Sequence, residues 1–323
     1  MMGFISDRLI KMYKDIMFVR HDPDGRIFYF SNEDFDGLHK TPFDFKSRKG
    51  YTLKGGFYYY DNPRQDRLIV LDHGLGDGHR GYMREIETIC RKGYMVFTYD
   101  HTGCGESEGE SAQGLSGALS DLDDCIRTLK RLSNLSGMEI SVIGHSWGGF
   151  STLNILGYHH DIHSVVAMSA FTSVSNMVGQ IVPIIVFPVR RKIMALEDRT
   201  NHGHASSSAF DVVNKTNKPI LIIHSLDDST VSAKRNILRL RKETCERSNL
   251  EFIVQNGKGH SVNYTREAAD YKRDFFKTMN KMKKDGLLET DEEKANFVSS
   301  YDWYKMTEQD EELWEKIFAF LEK

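Results

Sequence analysis

From position 68 onward, short apolar runs alternate with longer stretches in which apolar residues recur every three or four positions. The runs predict buried strands at 68–72, 95–99, 139–143, 164–168, 219–224 and 251–255. The longer stretches predict helices at 82–91, 116–132, 150–157, 233–247 and 268–284. Strands that are apolar throughout are covered on both faces, so the alternation predicts an α/β fold with a mostly parallel central sheet and helices on both faces. Ahead of this region, 4–18 has the spacing of an amphipathic helix, and aromatic-rich pieces at 26–31, 43–47 and 57–60 read as early antiparallel strands. Asp22-Pro23-Asp24-Gly25 has acidic residues at calcium-loop spacing but lacks the remaining ligand positions, so it reads as a tight turn.

Two stretches break the alternation. The interval 171–210 carries Met177, Val178, Ile181, Val182, Ile184, Ile185, Val186, Phe187 and Val189, followed by a polar tract from 197 to 208. A connection of that length exceeds a simple crossover and reads as an inserted helical lid. The tail, 279–323, is charge-rich and then ends in Leu313, Trp314, Ile317, Phe318, Phe320 and Leu321, the spacing of a helix that docks an apolar face. Within that tail, 281–304 is an excursion ahead of the terminal helix, in which Trp303 and Tyr304 read as packing residues. The whole of 1–323 reads as one domain carrying these two additions.

Composition narrows the functional classes. Among 323 residues the formal net charge is −3, with no basic excess to attract nucleic acid. Cys90, Cys104, Cys125 and Cys245 are scattered, without a CxxC pair or zinc spacing, which points to reduced thiols in a cytoplasmic protein and to no structural metal. The first eighteen residues mix charges into the apolar pattern and lack the features of a secretory signal. The longest apolar stretch, 181–189, contains Pro183 and Pro188 and is far too short to span a bilayer, so no integral membrane segment is expected.

The chemistry gathers where three predicted strands end. Gly144-His145-Ser146-Trp147-Gly148 follows the third strand and opens a helix, and small residues on both sides of Ser146 let strand and helix pass closely around a strained turn. Serine is a poor nucleophile at neutral pH and requires a histidine base held by a carboxylate. Asp227 and Asp228 follow the fifth strand and His260 follows the sixth. In a parallel sheet these loops leave the same carboxyl edge, which allows the three groups to converge.

With these motifs in the order Ser, Asp, His, positions 55–260 resemble the α/β-hydrolases, specifically the monoacylglycerol-lipase and serine-aminopeptidase-like branch. The resemblance implies that Asp228, followed after two residues by Val231, is the acid, with Asp227 the second candidate. It implies that His73-Gly74-Leu75-Gly76 is the oxyanion loop, the donors being the amides of Leu75 and Trp147. Asp100-His101-Thr102-Gly103-Cys104-Gly105-Glu106-Ser107 resembles an architectural loop of the family, and Cys104 within it has no basic partner to activate it. The lid would roof the nucleophile, with Met177, Ile181, Ile184 and Phe187 contacting substrate and Arg190, Arg191 and Lys192 at its far end.

The implied activity is a serine hydrolase that cleaves a carboxylic ester, of monoacylglycerol, lysophospholipid or small acyl type, through an acyl-enzyme. Its substrate would be a small acyl molecule, and no cofactor or metal is required. The same triad serves aminopeptidases, thioesterases and C–C hydrolases, and the fold also serves non-catalytic binding proteins. An aminopeptidase needs an acidic anchor for the substrate amine, for which Glu197 and Asp198 are the candidates in the lid. His159-His160-x-x-His163 lies at a helix end and lacks an acidic ligand at metal-site spacing. The aromatic tail is equally suited to its own sheet or to a neighbouring copy, so the sequence leaves the oligomeric state open.

Overall fold

The computed structural model of the chain describes residues 2–76, 78–182, 187–201 and 203–323. Helix α1 (Met2–Met17) comes first, followed by four short strands, β1 (His39–Pro42), β2 (Phe45–Lys46), β3 (Thr52–Leu53) and β4 (Gly55–Tyr59). The alternating region then runs β5 (Arg67–Asp72), α2 (Met83–Arg91), β6 (Met95–Tyr99), α3 (Gly117–Leu129), β7 (Glu139–His145), α4 (Trp147–Ile155) and β8 (Val165–Met168). Helices α5 (Val174–Ile181), α6 (Phe187–Thr200) and α7 (Ala209–Lys215) follow, then β9 (Ile220–Ser225), α8 (Ile237–Glu243) and β10 (Leu250–Gln255). The chain closes with α9 (Arg266–Lys284), α10 (Asp291–Ser299), α11 (Trp303–Met306) and α12 (Glu311–Leu321).

Among the described residues, eight strands form one sheet in the order β1-β4-β6-β5-β7-β8-β9-β10. Strands β6, β5, β7, β8, β9 and β10 pair in parallel, whereas β4 runs antiparallel to β6 and β1 antiparallel to β4. Alternate side chains point to opposite faces of a strand, and β5 shows this directly. Leu68 and Val70 join one core with α3 and α4, while Ile69 and Leu71 join the other with α2 and α12. Trp314, Ile317 and Phe318 of α12 belong to that second core, so the terminal helix covers its own sheet.

The six strands expected from 68 onward are all present, 95–99 at its expected bounds and the others with one or both ends shifted by one or two residues. Helix α8 is shorter than the expected 233–247. The expected strand at 26–31 does not form. Instead Asp24 accepts hydrogen bonds from the Arg26 backbone N–H at 3.0 Å and from its guanidinium at 2.7 and 2.8 Å. The irregular segment lays Phe28 and Phe30 against Trp303 and Tyr304. Its aromatic pattern therefore reflects packing against α11 rather than a sheet. Residues 45–46 pair only with β3 in a separate two-stranded ribbon. The 281–304 excursion closes around a small core of Phe275, Met279, Leu288, Phe297 and Met306.

The segment 171–210 is tied to the rest of the fold at Glu197 on α6, which is fully buried. Its carboxylate accepts hydrogen bonds from the Leu115 N–H at 2.8 Å, the Ser116 N–H at 2.9 Å, the Ser116 hydroxyl at 2.5 Å and the Tyr13 hydroxyl of α1. One side chain thus holds the turn that leads into α3 and fastens the first helix to α6.

Candidate active site

Ser146 lies on the turn between β7 and α4 with φ 56° and ψ −110°, a conformation that costs an L-residue roughly 1–3 kcal/mol. Its N–H is held by Met168 O at 2.8 Å, and its carbonyl accepts from the Phe150 N–H at 3.0 Å. Close approach explains the flanking glycines. A Cβ on Gly148 would lie 2.0 Å from Asp72 O, and one on Gly144 would lie 2.3 Å from Gly148 O. Among the described residues the Ser146 hydroxyl has no hydrogen-bond partner, His260 included. Such contacts commonly tighten only when substrate is bound.

The loops after β9 and β10 bring Asp228 and His260 together, with Nδ1–H of the imidazole donating to Asp228 Oδ2 at 2.8 Å. The other carboxylate oxygen accepts the N–H groups of Thr230 and Val231 at 2.8 and 2.9 Å. Burial alone would raise the Asp228 carboxyl, but the hydrogen bond and charge of His260, together with the Val231 N–H, outweigh it and hold the group below the ordinary carboxylate range. Asp227 faces elsewhere, accepting the Gly257 N–H at 2.8 Å and the Gly259 N–H at 3.3 Å. The geometry separates the two aspartates: Asp227 fixes the turn before His260, and Asp228 holds the imidazole.

The loop after β5 runs beside the serine. A Cβ on Gly74 would lie 3.4 Å from Ser146 Cβ. The Gly74 carbonyl accepts Nδ1–H of His73 at 2.6 Å, while Nε2 of the same ring accepts the His101 N–H at 3.0 Å. Those two bonds require neutral His73 protonated on Nδ1. Burial, reinforced by the nearby His101, lowers its pKa to about 3. Because Gly74 C=O and Leu75 N–H share one rigid peptide plane, His73 also fixes the direction of the Leu75 amide. Neither the Leu75 nor the Trp147 N–H donates a hydrogen bond to any described residue. The Trp147 indole is buried and donates to Leu115 O at 2.6 Å.

Beneath the elbow lies a buried charged cluster that the sequence pattern does not reveal. His101 Nε2 lies 3.0 Å from Asp72 Oδ1, and its Nδ1 lies 3.5 Å from Asp121 Oδ2. Burial acts to lower the His101 pKa, but the two carboxylates outweigh it and raise the value to about 9. Asp100 of the same loop accepts both the backbone N–H and Nδ1–H of His79 at 2.7 Å, and the Glu106 N–H at 2.8 Å. The stretch 100–107 is thus architectural, and burial pushes the Cys104 thiol far up.

The remaining candidates are dispersed. Met177 is buried and Ile181 packs against the core shared with Phe150 and Phe171, whereas Phe187 at the start of α6 is 53% exposed. Ile184 lies outside the described residues. Glu197 is engaged by its four donors and is not free to anchor an amine, whereas Asp198 is on the exposed surface. Arg190 donates to Gly179 O and Val182 O, while Arg191 and Lys192 are exposed. His159 donates to Asp123 at 2.8 Å, His160 engages Leu156 O, and His163 lies 3.0 Å from Glu139.

A family model described as serine aminopeptidase, S33, matches residues 63–200. The chain is 24% identical over 260 residues to the uncharacterized protein YqkD of Bacillus subtilis, covering 77% of this chain and 83% of that one. It is 31% identical over 114 residues to a proline iminopeptidase of Clostridioides difficile, covering 33% of this chain and 38% of the relative. Among solved structures, an esterase of Pyrococcus furiosus superposes with a TM-score of 0.58 at 18% identity, covering 82% of this chain and 98% of the esterase.

Proposed function

Because residues 63–200 match the serine-aminopeptidase family model and the fold superposes on that of an α/β esterase, we propose that the chain is a serine hydrolase that cleaves a carboxylic ester through an acyl-enzyme. The observation that carries this reading is the strained elbow at Ser146, with the Leu75 and Trp147 amides unbonded among the described residues and His260 held by a buried aspartate. In the proposed mechanism His260 Nε2 takes the hydroxyl proton as Ser146 Oγ attacks the acyl carbon. Asp228 keeps the proton on Nδ1 and balances the imidazolium that forms. The Leu75 and Trp147 amides receive the developing oxyanion, and the N-terminus of α4 adds its positive end. His260 returns that proton to the leaving alkoxide as the acyl C–O bond breaks, and the resulting acyl-serine is hydrolysed by water that the now neutral histidine activates.

The ester reading is favoured over the aminopeptidase one by Glu197, whose carboxylate already takes four hydrogen bonds and so is unavailable to a substrate ammonium. We read 171–210 as the lid, with Met177 and Ile181 at its inner side. The test is turnover of p-nitrophenyl esters from acetate to palmitate, with fluorophosphonate labelling of the wild type and of Ser146→Ala. Labelling confined to Ser146, together with ester cleavage abolished in the variant, is expected. Undiminished cleavage by Ser146→Ala would refute the assignment.

A further inference from the structure

One set of polar contacts beside Ser146 has no part in the mechanism above. The Gly74 N–H, in the loop beside the serine, donates to the Tyr82 hydroxyl at 2.9 Å. That hydroxyl lies 2.8 Å from Nδ1 of His145, and Nε2 of His145 lies 2.8 Å from the backbone carbonyl of His260. Elementary donor and acceptor rules fix the direction of every link. A carbonyl only accepts, so Nε2 of His145 carries a proton. Burial, with the neighbouring His260 adding to it, lowers the His145 pKa to about 3, so the ring is neutral and Nδ1 is an acceptor. Tyr82 therefore donates its own proton to His145 while accepting that of Gly74. The Ser169 hydroxyl donates to the same His260 carbonyl at 3.0 Å, and Ser169 is itself held at φ 49°.

We infer that Tyr82 and His145 are positioning residues that join the oxyanion loop to the backbone of His260 in one directed hydrogen-bond chain, setting the distance between oxyanion donors and base. This deepens the serine-hydrolase reading and rests on it. The chain passes through the residue immediately before the nucleophile, so all three functional loops share one reference point. Interactions that aim donors at charge appearing only in the transition state affect kcat rather than KM. A neutral His145 also keeps the chain intact across the neutral range, because a protonated Nδ1 would no longer accept from the Tyr82 hydroxyl.

The chain borders a cavity of about 140 Å³ lined in part by Gly74, Tyr82, Glu85, His145, Asn263 and Lys272. That space is ample for water, so phenylalanine at 82 is accommodated without crowding. The test compares Tyr82→Phe, His145→Ala and His145→Gln, using the rate of fluorophosphonate labelling at Ser146 and kcat and KM on p-nitrophenyl acetate, with thermal melts as a check on folding. Tyr82→Phe and His145→Ala are expected to slow labelling and kcat at least about tenfold with KM changed less than about twofold. His145→Gln is expected to stay within about threefold of wild type, because a neutral amide can donate to His260 O and accept from Tyr82. Wild-type rates in Tyr82→Phe, or a His145→Gln variant as slow as His145→Ala, would overturn the inference alone. Absence of labelling in the wild type would overturn the serine-hydrolase reading and the inference with it.

Discussion

Replacing Ser146 with glycine isolates the strain held at the elbow. At φ 56° and ψ −110° a side chain carries a penalty of roughly 1–3 kcal/mol that glycine does not. Against this, glycine loosens the unfolded chain by about 0.4–1 kcal/mol. The hydroxyl has no partner among the described residues, so its removal costs no hydrogen bond. The net expectation is that Ser146→Gly is more stable than wild type by roughly 0.5–2 kcal/mol. With an unfolding entropy of about 2.1 cal/mol/K per residue, 323 residues give about 0.7 kcal/mol/K, so Tm should rise by roughly 1–3 °C. Ser146→Ala keeps a Cβ at the same dihedrals and should melt within about 1 °C of wild type. Calorimetry of the three proteins at one pH measures the difference. A glycine variant that melts below the alanine variant would refute the argument, since it would mean the elbow holds no strain for glycine to release.

Asp228→Asn should lower kcat roughly ten-thousandfold by presenting an amide where the imidazole needs a carboxylate. Asp227→Asn keeps an acceptor for the Gly257 and Gly259 amides and should cost less than about tenfold, so stopped-flow ester assays on the pair test which aspartate is the acid. His101, whose pKa is raised to about 9, supplies stability that is complete below its unfolded value near 6.5 and is lost as pH rises through 9. Urea denaturation at intervals from pH 6 to 10 should show that decline in the wild type and a flatter profile in His101→Gln. Equal slopes would show that the buried pair does not titrate.

The parallel region was legible because its interior strands β5 to β9 are buried on both faces, so burial leaves an apolar run in the sequence, whereas the edge strand β10 is only half-buried. Strand β1 could not be found this way: its residues His39, Lys40, Thr41 and Pro42 lie on an exposed edge, and backbone pairing with β4 rather than an apolar pattern makes it a strand. Residues 26–31 misled for the opposite reason, since aromatic side chains are equally at home against a helix. The Ser, Asp, His order was readable because each residue follows a recognisable strand. The roles of His73, Tyr82 and His145 were not, because they depend on which ring nitrogen meets which backbone group across loops far apart in the chain. The identity of Glu197 was visible, but its burial was not: an acidic residue followed directly by Asp198 and Arg199 gives no sign that Tyr13 will reach it from 184 positions away.

That same contact dictates an order of assembly. At about 5–20 residues per second, residue 197 is made roughly 10–40 s after residue 13. Through that interval the Tyr13 hydroxyl lacks its carboxylate acceptor, and Leu9, Ile10 and Tyr13 can pack only on the part of their core that has already been made. Its own sixteen residues are near the length at which an isolated helix is marginal in water. Docking of α1 is therefore completed only once α6 exists, and a nascent chain halted before α6 carries α1 as an incompletely held amphipathic segment that chaperones can reach.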